Sequence, residues 1–369
     1  MRLPFFALAA GIVLSASAAL AQTQPAQAQP NETGPYKLLT IKNIGGLGGW
    51  DYVYADSDGR RLFIPRTGRT SGRVTVFDLD TLNPVGEIHD TNAVHGVAVD
   101  PKSAHGFCSS NPIVMFDSKS LATIKTIPVQ GSPDGILFDP ATEQVFVLSH
   151  RDPNVTVLNA ADGSVAGTID LGGAPEQAVT DGSGHVYIDI EDGNNVAAVD
   201  AKTRTVTAHY DISGQGGGPG GLAIDAQNHI LFAFCHDPAV AVILNADNGK
   251  IITTLPIGSG VDAGEFNPNT GEAFSSQRDG TLTVIKEQSP TSFSVEQTVQ
   301  TRPGARTSTL DSKTNRIYLI TADMLPLSTQ PAGGAAAQPT TQPQGARSGY
   351  SGGRARAIPG SFKILVVGE

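Results

Sequence analysis

The sequence predicts an all-β fold, a seven-bladed β-propeller, on three observations: a turn that recurs seven times, strand-forming runs between the copies, and chain ends that complete one another. The turn is an acidic or amide residue followed by a turn former, at Asp56-Ser57, Asp100-Pro101, Asp139-Pro140, Asp181-Gly182, Asp225-Ala226, Asn267-Pro268 and Asp311-Ser312. Successive copies lie 39 to 44 residues apart, close to the period of a four-stranded propeller blade.

Each copy has the same internal plan. In the third, Gly135-Ile136-Leu137-Phe138 forms a first strand, the Asp139-Pro140 turn follows, and Val145-Phe146-Val147-Leu148 forms a second. A loop at His150-Arg151-Asp152-Pro153 leads to a third strand, Val155-Thr156-Val157-Leu158, and an Asp162-Gly163 turn leads to a fourth that ends at Ile169. β-Branched residues fill these runs because they pack well on a pleated surface, and Asp-Gly favours the tight hairpin turn. Third strands recur at Val74 to Phe77, Ile113 to Phe116, Val155 to Leu158, Val196 to Val199, Val240 to Leu244 and Leu282 to Ile285. Five of the six run into Asp78, Asp117, Asn159, Asp200 or Asn245, whose side chains can bond the backbone of the following turn, a structural role.

The ends of the chain predict closure. The last copy has a first strand near Thr307 to Leu310, a second at Ile317 to Ile320 and a third at Phe362 to Val367, but no fourth. The run Tyr36 to Ile41 precedes the first copy and has no blade of its own. Pairing this N-terminal strand with the C-terminal blade latches the ring and removes the edges an open array would expose.

Residues 1–21 read as a removed signal peptide: Arg2 gives a positive start, Phe5 to Leu20 is apolar, and Ala19-Leu20-Ala21 supplies small residues for cleavage. Residues 22–34 are expected to be an unstructured linker and 35–369 the propeller, in the periplasm or outside the cell, with no transmembrane segment and as a monomer. An insert at 324–360, rich in Pro, Gln, Gly, Ala and Thr, cannot bury enough apolar surface to offset its ordering entropy. It is either a solvated tether or a cover for the neighbouring face, with Arg347, Arg354 and Arg356 at its basic end.

Gly 42 and Pro 24 with 16% charged residues suit short strands and tight turns. A formal net charge of -10 disfavours nucleic acid as a partner, because phosphate backbones reward clustered Lys and Arg. Cys108 and Cys235 fall three blades apart by the repeat, too far for a disulfide, and are expected to be free, buried thiols.

Units such as Val145-Phe146-Val147-Leu148-Ser149, through Asn154-Val155-Thr156-Val157-Leu158-Asn159, to Gly163-Ser164-Val165 and Thr168-Ile169 resemble the YVTN-type β-propeller repeat of YncE-like exported bacterial proteins. The likeness covers nearly all of the chain between linker and C-terminus outside the insert. It departs in detail where the family's Tyr-Val-Thr-Asn strand is replaced by Leu62-Phe63-Ile64-Pro65, Val186-Tyr187-Ile188-Asp189 or Leu231-Phe232-Ala233-Phe234. It implies the fold; it carries over no catalytic motif.

In a propeller the first-strand starts and the second-strand ends share one face, around the mouth of the central channel. Aligned first-strand starts are Asp51, His95, Asp134, Glu176, Gly220, Asp262 and Arg306, and the loops after second strands carry Arg66, Asn111, His150, Glu191, His236 and Arg278. One reading is a polar funnel that recognises a small ligand or a protein partner, with Asp51, His95, Asp134, Glu176, Asp262, Arg306, His150, His236 and Arg278 as ligand-binding residues. The other is a water-lined channel whose polar residues only satisfy backbone groups. No cofactor is expected. His95, His150 and His236 could act as proton carriers or as ligands of a funnel-bound metal ion, although they come from separate blades with no short metal-binding spacing, and the alternative function is a metal-assisted, lactonase-like hydrolase in the same funnel. No Gly-x-Ser-x-Gly, His-Glu-x-x-His or Cys-x-x-Cys-His motif occurs. The glycine runs at 45–49 and 214–218 lead into strands, so neither offers phosphate a helix N-terminus, and Trp50 is read as a packing residue.

Overall fold

The computed structural model describes residues 31, 33–68, 72–152, 154–325 and 357–369. The expected signal peptide, most of the linker and all but the ends of the 324–360 insert lie outside them. Every regular element among the described residues is a strand, and they form seven antiparallel sheets of four. No helix among the described residues is long and apolar enough to cross a membrane.

Inner strands are Tyr54–Asp56, Val97–Asp100, Pro133–Asp139, Pro175–Thr180, Pro219–Asp225, Val261–Asn267 and Ser308–Asp311. Six sheets are simple meanders. In the seventh, Lys37–Asn43 pairs antiparallel with Lys363–Gly368, so the N-terminal strand supplies the outer strand of the last blade as its sequence requires. Tyr36, just before that strand, is buried: its backbone N–H donates to Gln297 Oε1 at 2.9 Å, and its carbonyl accepts from Gln297 Nε2 at 2.8 Å. Its hydroxyl donates to Glu272. The latch thus ties the seventh blade to the sixth.

The apolar core is distributed between blades. Seven buried clusters occupy the seven blade junctions, and the one across the seam joins Tyr318, Ile320, Phe362 and Ile364 of the last blade to Leu62, Ile64 and Phe77 of the first. Each sheet buries both faces, which is why its strands read as β-branched and aromatic runs.

The repeated Asx residue has a local cause. At every one of the seven turns its side chain accepts a backbone N–H two or three residues on, from Asp56 to Gly59 at 2.9 Å through to Asp311 to Lys313 at 3.3 Å. One expectation changes. The third strand of the sixth blade does not stop at Ile285 but runs Thr281–Ser289 and pairs with Ser292–Gln300. With Lys286 where the first five blades have an Asx residue, nothing turns the chain until Ser289-Pro290-Thr291. Both cysteines are free and buried, and Trp50 packs edge-on against Phe362 with ring centroids 5.3 Å apart.

Candidate functional site

Inner strands start around one mouth of the channel, and their first polar residues meet there in a chain that crosses blade boundaries. Arg306 of the seventh blade pairs with Asp262 of the sixth and approaches Asp51 of the first at 3.6 Å. His95 of the second blade places Nδ1 between Asp51 Oδ2 at 2.7 Å and Asp134 Oδ1 at 3.2 Å. His150, at the end of the second strand of the third blade, places Nε2 between Asp134 Oδ2 at 3.2 Å and Glu176 Oε2 at 3.0 Å. The Tyr52 hydroxyl donates across the channel to Glu176, to Oε1 at 2.8 Å and to its carbonyl at 2.9 Å. Acid and base therefore alternate from Asp262 to Glu176.

The fifth blade breaks the arc. Gly220 has no side chain at the equivalent position, and a Cβ there would lie 2.6 Å from His236 Nε2. The glycine makes room for the imidazole of the loop behind it. Arg278 follows the next blade's second strand, over Gly260, and has no ion-pair partner among the described residues.

Crowding sets the protonation of these groups. Burial, then the charges of Glu176 and Asp51, push Asp134 up to about 7. The hydrogen bond to Glu176 lifts His150 to about 9. Burial works to lower His95, but the hydrogen bond to Asp51 and the nearby carboxylates outweigh it and raise its pKa. His236 goes the other way: burial, with Arg278 and Arg306 nearby, lowers it. Glu191 is raised by burial and by Glu176. The arc can thus take up and release protons near neutral pH.

Two loop residues from the sequence alignment stand apart. Arg66 is buried at the seam, its guanidinium 3.6 Å above the Phe362 ring, with Nη2 donating to the carbonyls of Gly45 and Leu47. Burial and Arg73 lower it to about 10, and its role is to fasten the glycine run to the first blade. Asn111 lies on a turn held by its own N–H to the Asn92 carbonyl at 3.1 Å and takes no part in the arc's ion pairs.

Sequence reasoning missed the floor of the funnel. Gln177 reaches from the fourth blade to the next two, accepting from Leu222 N at 3.0 Å and Gly264 N at 2.9 Å and donating to Gly264 O at 2.9 Å. Its backbone N–H is held at 2.6 Å by Asp189, a fully buried carboxyl that burial raises well above its ordinary range. A signal was present. Tyr52 and Gln177 follow directly on the mouth residues of their blades, where the other five copies carry Gly96, Gly135, Gly221, Ala263 and Thr307. Two long side chains in a ring of small ones have room to cross.

Asp51, His95 and Asp134 each bring one ligand atom within 4.8 Å of the others, as do Asp134, His150 and Glu176. Imidazole with carboxylate is a donor set that zinc, manganese or iron accepts.

No protein-family model matches the chain, and no curated protein matches it either. Among solved structures, a chain from a crystal structure of a mitotic checkpoint complex is similar in fold, with a TM-score of 0.67 at 11% identity over 83% of this chain and 95% of that one.

Proposed function

We propose that this protein is an exported propeller, related to the YVTN-type family, that binds a small ligand or a protein segment carrying both charge signs at the polar mouth of its channel. The observation that carries this reading is the arc of alternating acid and base, Asp262–Arg306–Asp51–His95–Asp134–His150–Glu176, contributed by six blades. Each group is already held by a neighbour, so a ligand meets a preorganised surface and little ordering entropy is lost on binding. Asp134 and Glu176 offer acceptors to its cationic end, and Arg278 and His236 face its anionic end. Support for export comes from Arg2, the apolar run Phe5 to Leu20 and Ala19-Leu20-Ala21.

Native mass spectrometry of the protein isolated from its own compartment tests this. The wild type should carry a small-molecule or peptide adduct that Asp134→Asn and Arg278→Gln both lose. An adduct-free wild type, or equal retention in both variants, would overturn the reading.

A second reading, a metal-assisted hydrolase acting on lactones or esters, draws on the two His-carboxylate groups that share Asp134. Stoichiometric metal in the purified protein, with lactone turnover that chelation abolishes, would favour it over binding alone.

A further inference from the structure

Below the mouth residues, Tyr52 and Gln177 together with the inner strands of all seven blades line a cavity of about 390 Å³. That lies within the range of small-molecule pockets, roughly 300–1,000 Å³. We propose that this chamber is a second binding site, separate from the polar mouth, for a small organic cation: an apolar body bearing one amidinium or ammonium group that pairs with Glu265.

Glu265 is the only carboxylate among the lining residues, and no Lys, Arg or His lines the chamber. Equivalent positions on the other six inner strands are Tyr54, Ala98, Leu137, Val179, Ala223 and Thr309, none of them charged. The carboxyl has no hydrogen-bond or ion-pair partner among the described residues. The side chain is half-buried among the chamber's lining residues, which leaves its carboxyl open to a ligand there. Four aromatic rings, Tyr52, Tyr54, Phe138 and Phe266, also line the space, and ring faces attract cations. At the far ends of the inner strands stand Asp56, Asp100, Asp139, Asp181, Asp225 and Asp311, which draw cations toward that end of the channel. Of these Asp311 is ion-paired with Arg60 and Asp181 with His185 at 2.8 Å, while no salt bridge holds the other four among the described residues.

Burial alone pushes Glu265 up to about 8, so its carboxyl is mostly protonated at neutral pH. A cation needs the carboxylate and displaces that proton, so binding strengthens as pH rises. The charged groups on the strands packed against Glu265 are engaged elsewhere: Asp225 with Asn228, Glu272 with Tyr36 and Lys286, Asp311 with Arg60. Tyr54 is the one titratable side chain in the chamber that feels its charge, and it is raised above its ordinary range by burial first and by Asp56 next.

Isothermal titration of the full chain with benzamidine, and with neutral benzamide as its near-isostere, tests the proposal between pH 6 and 9. Expected are one benzamidine site whose affinity falls about tenfold for each pH unit below 8, proton release on binding, and at least about tenfold weaker benzamide binding at pH 9. Glu265→Gln should abolish the preference for benzamidine. Absence of binding, pH-independent affinity, or equal affinity for the two probes would overturn the proposal in the wild type alone. So would binding that survives Glu265→Gln but is lost in Asp134→Asn, which would put the probe at the mouth.

Discussion

His150 and His236 hang from equivalent turns, after the second strands of the third and fifth blades, yet their rings ionise in opposite directions. The difference lies in what the next blade offers. His150 meets Glu176 and Asp134, which favour the imidazolium, whereas His236 sits over Gly220, where burial with Arg278 and Arg306 outweighs the pull of Glu176. His150 should therefore stay protonated to about pH 9, while His236 is neutral below its ordinary value. Because the folded value of His150 lies above its unfolded one, its contribution to stability is complete below about pH 6.5 and is lost as pH rises through about 9. Glu176→Gln removes the first cause of the shift, and NMR titration of the imidazole resonances should show the His150 midpoint falling by more than about one unit. A midpoint that stays near 9 in the variant would assign the shift to Asp134 alone.

Among the elements, the closing strand matters most, since every other blade is built from consecutive sequence. Its hold on the ring rests on backbone pairing with Lys363–Gly368 and on Tyr36, wedged between the last two blades against Phe274. Tyr36→Ala removes that buried ring and its hydrogen bond to Glu272, and should cost about 3–5 kcal/mol, as for other large aromatic truncations. Urea denaturation gives the measurement, and a loss below about 1 kcal/mol would mean that backbone pairing alone closes the ring. This level of organisation was legible in the sequence, because each blade repeats the same Asx turn and because a strand left over at one end matched a strand missing at the other. The length of the hairpin in the sixth blade was not, since it depends on the absence of an Asx residue at Lys286, not on any positive signal. Arg66 was misplaced for a related reason: its loop position is equivalent to that of His150, but the Phe362 ring and the carbonyls of Gly45 and Leu47 give it a better site inward.

At the scale of the whole ring, seven inner strands turn an unpaired edge toward the channel, and those N–H and C=O groups need partners or water. Side chains from other blades, some adjacent and some across the ring, meet part of the need. Thr309 accepts from Ala55 N at 3.0 Å, Tyr52 donates to the Glu176 carbonyl, and Gln177 serves Leu222 and Gly264 together. The last is sterically allowed because Gly221 and Gly264 bring the fifth and sixth blades close: a Cβ on Gly221 would lie 2.9 Å from the Ala263 carbonyl carbon. Such cross-ring links join residues 45 and 87 positions apart and leave no periodic trace, so the charged mouth could be read from aligned repeats while its floor could not. The floor also separates the polar arc from the apolar chamber, giving one channel two environments. Gln177→Leu keeps the volume but removes acceptor and donor, and should destabilise the protein by about 1–3 kcal/mol. Hydrogen exchange locates the effect: the Leu222 and Gly264 amides should lose protection while those of the outer strands keep it. If both amides exchange as slowly in the variant as in the wild type, the two blades are held together by packing alone and the crossbar has no structural part to play.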